Sequence, residues 1–408
     1  MNVRRFVMVV VILIAGMGLG NGVAYAASLC VHPTGAGQCY TSIQAAVDAA
    51  NSGDRIIIRA GKYVEQITIS GKDLTLVGRA GAVIQAPAAM EDTLSPVFGF
   101  PGRPIVLVTD AEVTVRDLTV DGANSSEANP LLQGITFVNA DGVIRGNLVK
   151  DVGFGEPRLP VDENGNPAYQ GDAVVVINFT ATPRTVTITE NRIVNFNNIG
   201  ILADAEADFN DPTLANLKVD ITNNTVVGSG ATDAIDQWGV FFGGFGFADP
   251  QASITGTIKG NRLHDFVTVG AHPFPGVGIV MFNPANLEVA NNTIENVNVG
   301  LAANQVVGAQ IAHNQIVGPG PAVFGSSGLL ISGTDSTVFE NRFRKLDLGI
   351  LLFVDDPQLG SAINTVINKN RFDSVAMEIM TGGGAPAAMA MSAADAKATP
   401  TWRTPPFR

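Results

Sequence analysis

The chain has 408 residues, of which 46% are apolar and 15% are charged, and its formal net charge at pH 7 is -12. The apolar content argues against a mostly disordered chain, and the negative charge argues against a nucleic-acid partner, because phosphate binding needs clustered Lys and Arg. A soluble exported protein, or one whose acidic groups hold divalent cations, fits this composition.

The chain begins with the pattern of a secretory signal peptide, predicted for residues 1–26. A basic segment, MNVRR, precedes the apolar run FVMVVVILIAGMGLG, and the small residues AYA end at Ala26, where we expect cleavage. The alternative is an uncleaved membrane anchor, but the apolar run is shorter than the ~20 residues that span a bilayer. We therefore expect a secreted or periplasmic protein without membrane contact after cleavage.

Two cysteines, Cys30 and Cys39, lie in the segment CVHPTGAGQC, close to the expected mature N-terminus. An oxidising compartment favours a disulfide between two cysteines this near in sequence. A metal pair is the alternative, but His32 alone adds little to it and the Gly-rich spacer is typical of a loop. We predict a disulfide that staples an N-terminal cap, residues 27–54.

One helix is predicted within this cap, in the segment TSIQAAVDAANSGD. Thr41 or Ser42 can cap its N-terminus, and Gly53 is predicted to end it. Its apolar face is formed by Ile43, Ala46 and Val47. From residue 55 onward, nearly everything consists of short strands separated by Gly, Asn, Asp and Pro.

A repeated unit becomes clear from about residue 113. Each unit has an Asn between two short apolar runs, and most units continue with a Gly-apolar strand such as GILA, GVFF or GLLI. The repeated asparagines are Asn147, Asn191, Asn224, Asn261, Asn292, Asn314, Asn341 and Asn370. These asparagines are 22 to 44 residues apart. Short strands in repeated units of this length predict a solenoid, because each coil can bury its apolar residues only by stacking on its neighbours. Leucine-rich repeats and propellers fit worse, since regular Leu spacing, helices and hairpin turns are missing.

The best fit is an all-β protein, a parallel β-helix of about ten coils over residues 55–382. The repeated asparagines would form a ladder at one corner, their amides hydrogen-bonded along the axis as in other stacked β-structures. Each such bond contributes about 1 kcal/mol, so the ladder is predicted to fix the register of successive coils. We do not expect it to catalyse, because amide groups neither donate nor accept protons at neutral pH. Residues 383–408 leave the repeat, and we expect a short capping helix near residues 387–397 and then a disordered end.

The segment SIQAAVDAANSGDRIIIRAGKYVEQITI and the repeated "NR-I/F … GI-L" units resemble right-handed parallel β-helix proteins of the pectin-lyase-like superfamily, over roughly residues 38–380. The resemblance implies a functional site on the sheet of Gly-apolar strands, beside the longest loops, between residues 150 and 252. It leaves the activity open, because the superfamily includes polysaccharide lyases, hydrolases, esterases and epimerases as well as proteins without demonstrated chemistry.

Three segments near that sheet carry candidate functional residues. Residues 150–172 offer Lys150 and Arg158 as the base that removes a proton next to a uronate carboxylate in β-elimination. The segment DAEADFNDP offers oxygen ligands for calcium, the one expected cofactor. These ligands are Asp204, Glu206, Asp208 and Asp211. The segment ATDAIDQWGVFFGGFGFADP offers aromatic faces and carboxylates to sugar rings and hydroxyls. The predicted substrate-binding residues are Asp172, Asp204, Asp233, Asp236, Trp238 and Phe241.

Each of these segments also has a structural interpretation, as a solvated loop, acids facing water or core aromatics. The outward row of the Gly-apolar strands weakens the case for catalysis, because a lyase or hydrolase is expected to carry charged residues there. If the residue after each Gly points inward, this row is Leu202, Phe241, Val280, Ala302, Leu330 and Leu351. The Gly-His-Gly element of the superfamily's hydrolases is missing as well.

Two hypotheses follow. In the first, a secreted monomer binds, and by β-elimination cleaves, an acidic polysaccharide that contains uronates. In the second, a non-catalytic surface or matrix β-helix serves as a scaffold for a partner protein. Convergence of Lys150, Arg158, Asp172 and Asp204 in one cleft would favour the first hypothesis.

Overall fold

The computed structural model describes residues 26–97, 100–153, 171–205, 216–232, 237–243, 253–269, 275–319, 325–354, 360–382 and 390–391. Residues 1–25 of the predicted signal peptide, and residues 383–389 and 392–408 of the predicted tail, lie outside this part. Within it, no helix is both long and apolar enough to cross a membrane.

The described chain winds into coils that contribute strands to three parallel sheets, as predicted for a parallel β-helix. The first sheet is 13-stranded and contains the strand that precedes each ladder position. Its strands are Ser28–Val31, Arg55–Ile58, Leu74–Gly78, Glu112–Arg116, Asp141–Arg145, Arg184–Thr189, Asn216–Thr222, Ser253–Lys259, Glu288–Ala290, Gln310–Ala312, Thr337–Phe339, Val366–Asn368 and Ala390–Met391.

The second sheet contains the strand that follows each ladder position, and the third contains the Gly-apolar strands. The second sheet consists of Gly61–Val64, Ala82–Gln85, Thr119–Asp121, Leu148–Val152, Arg192–Phe196, Thr225–Thr232, Arg262–Thr268, Thr293–Val297 and Gln315–Val317. The third consists of Ile67–Ser70, Phe100–Thr109, Leu132–Val138, Gly171–Asn178, Ile199–Ala205, Trp238–Gly243, Val277–Phe282, Val299–Val307 and Ser327–Thr334.

Four further strands complete the coils. Arg342–Phe353 and Arg371–Gly382 each run through the second sheet into the third, which joins the two sheets. Ala362–Ile363 pairs with the end of Ser327–Thr334. Leu94–Val97 pairs antiparallel with Phe100–Thr109, whereas the other strand pairs described are parallel.

The interior of the solenoid is a continuous apolar core. On the third sheet, Ile201 is in register with Val174 and Val240, and all three side chains are fully buried. Ile201 follows the repeated Gly200, so the residue after the glycine points inward, as the alternation predicts. Burying each such side chain stabilises the fold by about 1.5–3 kcal/mol, and stacking makes every coil depend on its neighbours.

The repeated asparagines form one hydrogen-bonded column. In each link, the side-chain Nδ2 donates to the Oδ1 of the asparagine one coil later, at 3.0–3.1 Å, and the backbone N–H donates to the same oxygen, at 2.9–3.0 Å. The amide's second N–H reaches a carbonyl oxygen of the preceding coil, as from Asn191 to Ile144 at 2.8 Å. The column begins at Leu118, whose backbone N–H donates to Asn147 at 3.1 Å.

The residue before each ladder asparagine adopts the left-handed conformation. Its φ lies between 53° at Glu340 and 68° at Gly260, and it bends the chain from the first sheet into the second. Gly and Asn take this conformation readily, as at Gly260 and Asn223. Glu190 and Lys369 adopt it too, with φ of 58° and 55°, although it is unfavourable for such side chains.

The glycines of the Gly-apolar strands stack in a second column, on the third sheet. A Cβ on Gly278 would lie 2.7 Å from the carbonyl oxygen of Gly300, and one on Gly300 would lie 2.6 Å from that of Gly328. These distances are shorter than a carbon–oxygen contact allows. The repeat therefore requires glycine because successive coils approach each other too closely here for a side chain.

The N-terminal cap contains the predicted disulfide and helix. Cys30 and Cys39 are joined. The helix spans Ile43–Ala49, with Ser42 as N-cap, and the carboxylate of Glu65 accepts bonds from the N–H groups of Ile43 and Gln44, at 2.9 and 3.0 Å. The helix ends before the predicted Gly53, because Ala50 is already extended, with ψ of 150°.

The far end of the solenoid differs from the prediction. Ala390 and Met391 fall within the predicted capping helix, but they form a short strand that pairs with Val366 and Ile367. Pairing with the exposed edge of the first sheet satisfies backbone groups that a helix would leave unpaired on that edge.

Candidate functional site at the corner of the second and third sheets

Several segments that follow or precede strands of the third sheet lie outside the described residues. Those next to the corner with the second sheet are residues 154–170, 233–236, 270–274 and 320–324, and those next to the opposite edge are 206–215, 244–252 and 355–359. A Cβ on Gly171 would lie 2.2 Å from the carbonyl oxygen of Val152 and 3.1 Å from the Cα of Gly153. The described residues on either side of segment 154–170 therefore lie against each other at this corner.

Lys150 lies on the second-sheet side of this corner. Its Nζ is 2.8 Å from the carboxylate of Asp121, one coil earlier, and also contacts the carboxylate of Asp151. Burial lowers the pKa of Lys150, but the hydrogen bonds and charges of Asp121 and Asp151 outweigh it and raise the pKa above its ordinary value. A base must first lose its proton, so this environment disfavours the predicted role of Lys150.

A left-handed residue allows Asp151 to reach its neighbour. Adjacent residues of a strand normally point to opposite faces, but Asp151 has φ of 55° and turns back toward Lys150. Asn195 of the next coil holds it, with Nδ2 donating to Asp151 Oδ1 at 2.6 Å. This small network braces the corner next to Gly153, the last described residue before position 171.

The same arrangement recurs further along the corner, where the sequence analysis assigned no site. His264 Nδ1 lies 2.7 Å from the carboxylate of Asp265, whose φ is 71°, and Asn296 donates to the other carboxylate oxygen at 2.6 Å. Although burial raises the pKa of Asp265, the bonds from Asn296 and His264 outweigh it and lower the pKa. A polar residue followed by Asp, with an Asn one coil later, is the sequence pattern common to both places.

Asp172 lies on the third-sheet side of the corner. Its Oδ1 accepts hydrogen bonds from Asn198 Nδ2 at 3.0 Å and from the N–H of Ile199 at 3.1 Å. Burial raises the pKa of Asp172 to about 6, despite the opposing effect of these bonds. The side chain is only partly buried. Asp172 is therefore a carboxyl group within reach of solvent that changes charge close to neutral pH.

Trp238 lies one coil beyond the residue that Asp172 contacts, in register with Ile199. Its ring is stacked on Phe241, with centroids 5.9 Å apart, and Phe241 is stacked on Phe282 at 6.0 Å. The Nε1 of Trp238 is buried and has no hydrogen-bond partner among the described residues. Trp238 itself is partly exposed, so an aromatic ring reaches solvent one strand beyond Ile199, the residue that donates to Asp172.

Phe241, predicted to face a sugar, is fully buried. It belongs to a second apolar cluster on the outward side of the third sheet, separate from the core. The buried members are Ile199, Phe241, Val277, Val280, Val299 and Ala302, and Leu202, Trp238, Phe282 and Leu330 pack against them. The predicted outward row is thus apolar: Phe241, Val280 and Ala302 are buried, whereas Leu202, Leu330 and Leu351 are partly exposed.

Of the remaining predicted site residues, the structure describes only Asp204, which lies away from this corner. Asp204 is 1% exposed and in register with Ile177, five residues along the strand from Ile199, which corresponds to about 16 Å. Lys150 and Asp172 share the corner, whereas Asp204 lies at the opposite edge of the sheet. The others lie outside the described residues: Arg158, Glu206, Asp208, Asp211, Asp233 and Asp236.

The described part of the chain contains no group of three or more His, Cys, Asp or Glu side chains arranged to hold a metal ion. The predicted calcium ligands following Asp204 are outside it, so calcium binding stays a prediction.

Comparison with known proteins identifies similarity in structure only. No protein-family model matches the chain, and no curated protein matches it in sequence. One similar solved structure is a GH136 lacto-N-biosidase from Eubacterium ramulus, with a TM-score of 0.54 and 10% identity over 90% of this chain and 67% of that one. Another is a family 28 exopolygalacturonase from Yersinia enterocolitica, with a TM-score of 0.50 and 12% identity over 90% and 78% of the two chains. At such identities the similarity concerns the fold.

Proposed function

We propose that this chain, a right-handed parallel β-helix of the pectin-lyase-like superfamily, binds a polysaccharide at the corner of its second and third sheets. The observation that carries the proposal is the neighbourhood of Asp172 and Trp238, where a solvent-accessible carboxyl lies near a partly exposed aromatic ring. Sugar sites combine such groups, the ring against the sugar's apolar face and the carboxylate on its hydroxyls. The names of the two similar structures, a lacto-N-biosidase and an exopolygalacturonase, are those of carbohydrate-active enzymes.

The substrate class that we propose is a uronate-containing polysaccharide, with calcium as the bridging ion. Asp121, Asp151 and Asp172 give the corner an excess of carboxylates over the single ammonium of Lys150. The carboxylates of this corner and those of a uronate polymer repel each other unless a cation lies between them. Calcium takes six to eight oxygen ligands from such groups. Binding should therefore need calcium.

The reaction that we propose to test is β-elimination. A base takes the proton from the carbon next to the uronate carboxylate. The electron pair of the broken carbon–hydrogen bond forms a carbon–carbon double bond, and the glycosidic oxygen leaves and is protonated. Lys150 is held as an ammonium ion, so we assign the base role to Asp172, whose pKa of about 6 suits a proton acceptor at neutral pH.

The test is a panel of polymannuronate, polyguluronate and polygalacturonate, assayed by binding and by ultraviolet absorbance of the unsaturated product, with calcium or with a chelator. Asp172→Asn is the test variant. Asp335→Asn, at the opposite edge of the third sheet, is the control. Calcium-dependent product that disappears in Asp172→Asn alone would support elimination. Failure to bind any of the polymers in calcium would contradict the proposal.

A second candidate is a non-catalytic scaffold. The apolar outward row of the third sheet favours it, because no charged side chain lies in the middle of that row. Absence of both binding and product with every polymer would select this candidate, whereas binding that is weakened by Asp172→Asn without product would keep the polysaccharide site and exclude only the elimination.

We also propose that the chain is exported. The disulfide between Cys30 and Cys39 supports this, because disulfides persist in oxidising compartments, and the N-terminal segment has the pattern of a signal peptide. N-terminal sequencing of the exported protein should give Ala27 as the first residue.

A further inference from the structure

A groove of about 420 Å³ opens at the N-terminal end of the solenoid, where the first sheet turns into the second. Its lining consists of His32, Ile57, Arg59, Ala60 and Arg79. The lining thus contains two guanidinium groups, one imidazole and no carboxylate, in a chain whose net charge is -12. Such a local reversal of sign favours a negatively charged ligand.

The three polar residues form a row along the solenoid axis. Val31 is in register with Ile58, and Ile58 with Gly78, so His32, Arg59 and Arg79 follow the same position in three successive coils. Neighbouring strands lie about 4.8 Å apart. Guanidinium groups carried on neighbouring coils repel each other, and an anion bound between them reduces that repulsion.

Neither Arg59 nor Arg79 has an ion pair within the described structure. Two arginines that end later strands of the first sheet do: Arg116 is 2.7 Å from Asp117, and Arg145 is 2.9 Å from Glu190. Guanidinium groups bind carboxylate, sulfate and phosphate through two parallel N–H bonds. The two unpaired arginines are therefore available as donors to an oxyanion.

The backbone that carries this row is firmly held. The buried Tyr63 hydroxyl lies 3.2 Å from the carbonyl oxygen of Val31 and 3.0 Å from that of Arg59. His32 lies between the two linked cysteines, and its Nδ1 accepts the N–H of Thr34 at 3.2 Å. The other ring nitrogen, Nε2, then carries the proton and is a donor.

We infer that this groove is an oxyanion-binding site, in which Arg59 and Arg79 donate to the anion and His32 forms one rim. The oxyanion is a carboxylate or sulfate group of an acidic sugar chain, or a free inorganic ion of the same chemistry. The site lies at the corner of the first and second sheets, away from Asp172, and the inference does not rest on the proposed function.

Titration calorimetry at low ionic strength tests the inference, with potassium sulfate as one probe and a galacturonate trimer as the other. The variants are Arg59→Gln and Arg79→Gln. The matched control is Arg145→Gln, which removes the same charge from an exposed, ion-paired arginine of the first sheet. Each groove variant should weaken binding by about tenfold or more, because it removes charge-assisted bonds. Arg145→Gln should leave the affinity unchanged, and urea unfolding verifies that all variants are folded.

The two probes distinguish the source of the anion. Trimer binding that is lost in Arg59→Gln but kept in Asp172→Asn assigns the site to an acidic sugar, independently of the proposed corner site. Sulfate binding without trimer binding assigns it to a free or esterified sulfate-like ion. The inference is overturned if neither probe binds saturably, or if Arg145→Gln weakens binding as much as the groove variants do.

Discussion

Asp172 receives the side-chain N–H of Asn198 on its Oδ1, at 3.0 Å, across the boundary between two coils. The N–H of Ile199 donates to the same oxygen at 3.1 Å. Both bonds need only a carbonyl-type acceptor, so the amide of asparagine can accept them in place of the carboxylate. The negative charge is therefore separable from the structural role of this residue.

The first prediction concerns the stability of Asp172→Asn at different pH values. The folded-state pKa of about 6 exceeds the ordinary aspartate value of 3.8, so between pH 4 and 6 the folded chain binds more protons than the unfolded chain. The free energy of unfolding therefore falls as pH rises through that window, and the contribution of this group is fully lost above it. The shift corresponds to about 3 kcal/mol at most, and solvent access reduces this to about 1–2 kcal/mol.

Urea midpoints measured at pH 4 and pH 8 check this prediction. Asp172→Asn should match the wild type at pH 4 and exceed it at pH 8. Other carboxylates titrate as well, so the informative quantity is the difference between the variant and the wild type. A difference that does not change with pH would contradict the assigned pKa.

The second prediction concerns the ladder. Asn261 is 1% exposed and accepts two bonds from Asn224 while donating to Asn292 and Ile221. Asn261→Ala leaves buried donors unpaired and should cost about 3 kcal/mol or more of unfolding free energy. Asn370→Ala, at the partly exposed end of the column, should cost less than half as much. Equal losses in urea unfolding would show that the column does not act through buried bonds.

The third prediction concerns the glycine column. Gly278→Ala places a Cβ 2.6 Å from the Ile294 side chain and 2.7 Å from the Gly300 carbonyl oxygen, so the backbone must shift, at a cost of about 3 kcal/mol. The matched control is Gly382→Ala, because a Cβ there meets only Leu351, at 3.6 Å. Thermal unfolding should separate the two variants clearly, and a tolerated Gly278→Ala would mean that the coils can move apart.

The fourth prediction is a stabilising change. Glu190 has φ of 58° and forms only an exposed ion pair with Arg145, whereas coils with Asn at this position adopt the turn readily. Glu190→Asn should raise the unfolding free energy by about 0.5–1 kcal/mol. Glu288→Asn removes a similar exposed pair, with Lys259, from a strand without the left-handed turn, and it should give no gain. A gain in both variants would point to charge, not to backbone conformation.

The fifth prediction concerns the disulfide. Replacing Cys30 and Cys39 by Ala should lower the unfolding free energy by about 2–3 kcal/mol. The change frees the segment that carries His32, so sulfate affinity in the groove should also fall. Reduced and alkylated wild type is the parallel sample. Unchanged affinity in both would remove His32 and its loop from the binding site while leaving the arginines.

The repeat made the scaffold predictable. The residue types of Asn191, Gly200 and Ile201 recur at equivalent positions, because each coil contacts its neighbours in the same way. A repeated contact therefore requires a repeated residue type, which is visible in the sequence. Leu118 was not assigned to the column, because its backbone N–H alone makes the first bond. A side-chain pattern cannot reveal such a contact.

The candidate site was predictable only in part, because its contacts join different coils or depend on backbone conformation. Asp121 reaches Lys150 from the preceding coil, and alternation would place Lys150 and Asp151 on opposite faces had Asp151 not been left-handed. The alternation of inward and outward side chains along the strand predicts that Phe241 points outward, but it does not predict that Phe241 is buried. Arg59 and Arg79 were missed because their alignment depends on strand register before the clear repeats begin.

The asparagine column also restricts how a protein of this kind can change in size. Each link joins equivalent points of two coils, whether 22 residues apart, as at Asn292 and Asn314, or 44, as at Asn147 and Asn191. Extra residues are therefore accommodated between the links, away from the asparagine corner, while the solenoid itself can lengthen or shorten only by complete coils. Removing residues 292–313 would bring Asn314 to the position of Asn292 and leave the column unbroken. Duplication and loss of whole coils is thus the evolutionary route that this architecture leaves open.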